Sequence, residues 1–79
     1  MTREELAKIS AERINMMKNA HDVTYREIER ATGIAHTTLC SITKGEHVPN
    51  GYAVAVLSEY FGVSADFLLG LSDEMGRAA

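Results

Sequence analysis

At 79 residues, the chain holds one small domain with a thin core, without the paired metal-ligand spacing or the disulfide framework that staple many domains of this size. Its 46% apolar and 24% charged composition fits a folded helical protein rather than a disordered one, and its apolar runs are far too short to span a bilayer. The net charge of -3 removes the strongly basic signature of many nucleic-acid binders.

The distribution of that charge says more than its sum. Residues 24–50 balance Arg26, Arg30 and Lys44 against Glu27, Glu29 and Glu46, while the excess acid lies beyond position 50, in Glu59, Asp66, Asp73 and Glu74. The middle of the chain is therefore neutral and does not repel phosphate. A lone cysteine, Cys40, cannot form an internal disulfide, and the charged opening MTREELAKIS reads as a helix rather than a secretory signal. Both point to a reducing, cytoplasmic setting.

Thr2-Arg3-Glu4-Glu5 is a capping box, and apolar residues at Leu6, Ile9, Ala11, Ile14 and Met17 then predict a first helix over about 3–19, with Ala20-His21-Asp22 as connector. Thr24 and Glu27 form a second box, with Val23 placed to staple Ile28, so a helix over 25–32 follows, turning Ile28 and Ala31 inward. Gly33 suits the left-handed turn that ends it. The third helix, 36–43, turns Leu39 and Ile42 inward, and Ala35 stands where a capping hydroxyl is expected. Two helices this close in sequence must cross steeply, which is the helix-turn-helix unit. Gly45 closes the third helix with Lys44 in its last turn.

Beyond the loop at Glu46 to Pro49, Asn50 caps a fourth helix over 51–61 with Val54, Leu57, Ser58 and Phe61 as its inner face. Gly62 stops it. Ser64, Asp66 and a Val63–Leu68 staple then open a short fifth helix over 65–70, and residues 72–79 read as a frayed tail. The expected fold class is all-α, with residues 1–71 forming one domain and no internal repeat.

On a helical wheel His36, Thr37, Cys40, Ser41 and Lys44 share the outer face of the third helix, opposite Thr38, Leu39, Ile42 and Thr43. On the fourth helix, Tyr52, Val56 and Tyr60 recur at i,i+4 on a face opposite its core residues. Such an aligned apolar stripe exceeds scattered surface hydrophobes and is a candidate protein interface, together with Leu68, Leu69 and Leu71. The alternative is that the first helix, through Leu6 and Ile9, folds back over it. His36, Cys40 and His47 fall short of the four paired ligands of a structural zinc site. No nucleophile–base spacing or Gly-rich phosphate loop suggests an enzyme, and no cofactor or small-molecule ligand is implied.

The order Thr24-Tyr25-Arg26-Glu27-Ile28, then Gly33-Ile34, Leu39 and Ile42, Lys44-Gly45, Pro49 and Phe61-Gly62-Val63-Ser64-Ala65-Asp66-Phe67-Leu68-Leu69-Gly70 resembles the Cro/C1-type (XRE) helix-turn-helix family, typical of phage and prophage repressors of bacteria. The match spans roughly residues 9–71. It departs from the family pattern at Glu29, where a small alanine is usual, at Thr32, usually aliphatic, and at Thr43, often glutamate. The resemblance implies a compact five-helix lambda-repressor-like domain whose third helix enters the major groove of operator DNA, usually as a homodimer on half-sites about one turn apart.

It further implies base contacts from His36, Thr37 and Ser41, where hydroxyls donate or accept, the Thr37 methyl meets thymine, and a His36 N–H donates to purine N7 or guanine O6. Backbone contacts fall to Lys18, Arg26, Lys44 and the N–H groups at Thr24 and Tyr25. No Arg, Gln or Asn stands at the N-terminal half of the reading face, so each half-site would discriminate bases modestly. The net charge, the reader-poor third helix and the apolar stripe support a second reading, a protein-interaction module of antitoxin or anti-repressor type.

Overall fold

In the computed structural model, which describes residues 1–76, α1 (Arg3–His21) begins with both halves of its capping box closed. The Glu5 N–H donates to Thr2 Oγ1 at 3.1 Å and the Thr2 N–H to Glu5 Oε1 at 2.9 Å. The helix runs two residues past the predicted end. Asp22 alone takes the left-handed conformation that ends it, and the N–H groups of Asp22 and Val23 return to Asn19 and Lys18.

The buried stripe of α1 is Ala7, Ser10, Ala11, Ile14 and Met17, whereas Leu6 and Ile9 are only half-buried. The face is thus rotated from the expected one, and the reason is backbone proximity. A Cβ at Gly45 would stand 3.8 Å from both the Ala11 Cβ and the Ala7 carbonyl oxygen, so the loop after the third helix lies directly on α1. Only small side chains leave room for it.

Ser10 is fully buried and its hydroxyl has no hydrogen-bond partner among the described residues. An unpaired buried hydroxyl costs about 1–3 kcal/mol, so Ser10→Ala should raise stability by about 1 kcal/mol. Urea unfolding would register this as a higher midpoint at unchanged slope.

The second capping box closes as predicted at Thr24 and Glu27, opening α2 (Tyr25–Thr32). Ile28 is buried, but Ala31 is exposed, a correction to the expected inner face. Gly33 ends α2 at φ +80°, a value that disfavours any residue with a Cβ. Thr32 then closes the turn: its hydroxyl donates to the Ile28 carbonyl at 2.7 Å and accepts the Ile34 N–H at 3.2 Å. An aliphatic residue there could do neither.

α3 (His36–Thr43) buries Leu39 and Ile42. α4 (Gly51–Phe61) is capped by Asn50 Oδ1, which accepts the Ala53 N–H at 2.8 Å, and buries Val54, Leu57, Ser58 and Phe61 as predicted, with Ala53. α5 (Ala65–Leu68) is capped by Ser64 and is two residues shorter than expected, because Leu69 and Gly70 turn the chain.

The five helices enclose one cluster to which each contributes: Ile14 and Met17, Ile28, Leu39 and Ile42, Leu57 and Phe61, Phe67 and Leu68. α1 lies against α3 and α5, α2 against α3 and α4, and α4 against α5. No described residue is in a strand, and no helix is long and apolar enough to cross a membrane among the described residues.

The expected frayed tail is tied down over its described part. Arg13 on α1 donates through Nη1 to the carbonyls of Phe67 at 3.1 Å and Ser72 at 3.0 Å, and through Nη2 to Asp73 at 2.8 Å. The Ser64 N–H donates to the Met75 carbonyl at 2.7 Å. Residues 77–79 of that predicted tail lie outside the described residues.

Candidate nucleic-acid interface

α3 presents an outer face because everything that holds it comes from behind. Leu39 and Ile42 anchor its middle in the core. At its C-terminal end, Thr43 joins three helices. Its hydroxyl donates to the Cys40 carbonyl at 3.1 Å, so in the 2.8 Å contact with Tyr25 the phenol O–H must be the donor. Asn15 Nδ2 on α1 donates to the Thr43 carbonyl at 2.9 Å. The glutamate often found in the resembled family could not serve as this small hydroxyl junction.

At the N-terminal end, Ala35 provides no side-chain cap. Glu29 of α2 reaches across the turn instead, with Oε1 3.2 Å from His36 Nδ1. Burial raises its pKa, but hydrogen bonding from the His36 backbone and ring, with the charges of His36 and Arg26, outweighs this and holds the carboxyl below its usual 4.5. It is therefore ionised at neutral pH. The carboxylate that departs from the family pattern thus replaces part of what Ala35 lacks.

Thr37 and Lys44 are exposed on the outer face, with His36, Cys40 and Ser41 half-buried beside them. Thr38, assigned from the helical wheel to the inner side, is exposed as well. It lies at the edge of the wheel, where α3 has left its neighbours. The side chains of Thr37, Thr38, Ser41 and Lys44 make no hydrogen bond among the described residues, which leaves their donors and acceptors available.

The expected backbone contacts are placed unevenly. Lys18 holds its ammonium 4.6 Å from the Tyr25 ring centroid, beside the start of α2, and Arg26 is exposed there. The capping box, however, already uses the Thr24 N–H, which donates to Glu27 Oε1 at 3.0 Å. The Tyr25 hydroxyl is likewise spent on Thr43. What stays open at this helix start is the N–H of Tyr25 and that of Arg26, beside a carboxylate that competes with phosphate.

The α4 stripe is less free than its spacing suggested. Tyr52 is 61% exposed, but its hydroxyl donates to the Thr32 carbonyl at 3.0 Å. Val56 and Tyr60 are half-buried against the core, and Tyr60 meets Phe61 edge-on with centroids 5.0 Å apart. What flanks the stripe is α2: Ala31 and Thr32 line a groove with Val56, Glu59 and Tyr60. Ile9 of α1 lies against Gly70 instead. Leu68 is fully buried and unavailable to any partner, whereas Leu71 is exposed.

Among the described residues, no three His, Cys, Asp or Glu side chains are grouped to hold a metal ion, and Cys40 is a free, half-buried thiol. Sequence reasoning missed the Glu29–His36 contact. Its signal was the departure itself, a carboxylate at a position where a small residue is usual, seven residues before an uncapped helix start. Comparison with protein-family models, curated proteins and solved structures returns no match to this chain.

Proposed function

We propose that this chain is a small repressor-like transcriptional regulator that binds double-stranded DNA with α3 in the major groove, as its resemblance to the Cro/C1-type helix-turn-helix domains implies. The observation that carries the reading is the two-sidedness of α3. Its rear is pinned to α1 and α2 through Leu39, Ile42 and Thr43, while Thr37, Thr38, Ser41 and Lys44 face outward with unspent polar groups. His36, Thr37 and Ser41 would then meet base edges, and Lys18, Arg26 and Lys44 phosphates. Binding as a symmetric homodimer on operator DNA, in the cytoplasm, completes the proposal.

The test is binding to duplexes from the regions flanking its own gene, at several salt concentrations, for the native chain and a Thr37→Ala, Ser41→Ala double variant. Three cations on phosphate per half-site, six for the dimer, give a slope of log K against log salt of about -5. The double variant should lose roughly tenfold or more in affinity for the preferred duplex while its weak binding to unrelated DNA persists. Equal, weak binding to every duplex by both proteins would contradict the proposal.

The second reading, a protein-interaction module of antitoxin or anti-repressor type, is favoured by one observation. Tyr52 exposes most of its ring on α4 although its hydroxyl is engaged. Tyr52→Glu with Tyr60→Glu would change the molecular mass in solution if the stripe joins copies of this chain; an unchanged mass with an unchanged fold would remove that interface.

A further inference from the structure

The sequence-based expectation made His36 an outward hydrogen-bond donor. The contact between α2 and α3 bears directly on that role. An ionised carboxylate has lone pairs and no proton, so in the 3.2 Å contact between Glu29 Oε1 and His36 Nδ1 the ring nitrogen must carry the hydrogen. A neutral imidazole has only one such hydrogen. In the neutral ring Nε2 is then a bare lone pair, and Nε2 has no hydrogen-bond partner among the described residues. This is the less populated tautomer of a histidine free in water, so something must hold it, and Glu29 is the group in place to do so.

We infer that Glu29 is a positioning residue for base recognition: by fixing the proton of His36 on Nδ1 it presents Nε2 as an acceptor at the N-terminal end of the reading face. Resting on the DNA-binding reading above, this names what that end of α3 selects. In the major groove an acceptor matches the exocyclic amino groups, N6 of adenine or N4 of cytosine. It is mismatched to the N7 and O6 acceptors of guanine. The pair is built for the purpose of orientation rather than strength, since both side chains are about one-third exposed, at 36% and 34%. Exposed pairs of this kind contribute little to folding.

Two measurements test the inference and separate it from the DNA-binding reading. The first needs no DNA. In the free chain, the 15N shifts of the His36 ring, at a pH where those shifts themselves show it neutral, should report a protonated Nδ1 and a bare Nε2. In Glu29→Ala the ring should move toward the Nε2–H form, with an unchanged helical spectrum. The second is enrichment of binding sequences from a randomised duplex pool. The native chain should favour adenine or cytosine over guanine at one base position, and Glu29→Ala should lose that preference by about threefold to tenfold, as should His36→Ala. An Nε2–H tautomer in the native chain, or a ring signal indifferent to Glu29→Ala, overturns the inference even if DNA is bound tightly. The expected tautomer with base preference unmoved in Glu29→Ala overturns the role in selection. No enrichment of any sequence by the native chain overturns the DNA-binding reading itself, and with it the base assignment.

Discussion

Leu39→Ala should cost about 2–5 kcal/mol, the range for removing a buried leucine side chain, and leave the chain close to unfolded at physiological temperature. Leu39 is fully buried in a cluster drawn from all five helices. The size of the loss depends on whether the surroundings collapse into the space left behind. Here they are hindered, because the C-terminal end of α3 is fastened through Thr43 to Asn15 and Tyr25. A helix held there to two neighbours resists sliding inward, so much of the cavity stays. Urea unfolding followed by circular dichroism gives the value. A loss below about 1 kcal/mol would mean that the core closes over the gap and that the ties at the C-terminal end of α3 are slack.

Arg13→Ala is expected to cost about 2–3 kcal/mol, more than a helix-surface arginine normally would. The guanidinium is largely buried at 13% exposure and lies 4.3 Å from the Phe67 ring centroid. It also donates to the carbonyls of Phe67, at the end of α5, and of Ser72, in the segment beyond it. Asp73 is the smallest of its partners, because that carboxylate is 98% exposed and water competes for it. Asp73→Ala should therefore cost under about 1 kcal/mol. Arg13→Lys should recover little, since one ammonium cannot span two carbonyls and stack on a ring at once. Hydrogen exchange adds a local readout: amides of Gly70 and Leu71, which bond to Phe67 and Asp66, should exchange faster in Arg13→Ala. Equal losses for Arg13→Ala and Asp73→Ala would show the ion pair to be dominant.

The helix starts at Thr2, Thr24, Asn50 and Ser64 were legible because a cap and the N–H that donates to it lie within three residues of each other, and the inner face of α4 followed from its period alone. Where reading failed, the cause lay far away in sequence. Leu6 and Ile9 looked like core by hydrophobicity, yet the loop at Gly45 presses on α1 beside the small Ala7 and Ala11. The tail looked free because Arg13, which holds it, sits about sixty positions earlier. At the candidate interface, Thr37, Ser41 and Lys44 were placed outward by the helical wheel. The contact of His36 with Glu29 was hidden, since it brings in a carboxylate of another helix. The bond between the Tyr25 hydroxyl and Thr43 was hidden for the same reason, since it joins two helices.

The way α3 is fastened from the rear sets how this protein can change over generations. Substitutions at Thr37, Thr38 or Ser41 disturb no hydrogen bond of the scaffold, so they are close to silent for folding and can accumulate in a chain with little stability to spare. His36 is the exception. Altering it also releases Glu29, so this position is coupled to a neighbouring helix while the later ones are free to drift. Descendants of this chain should diverge soonest at Thr37, Thr38 and Ser41, and change Glu29 and His36 only together.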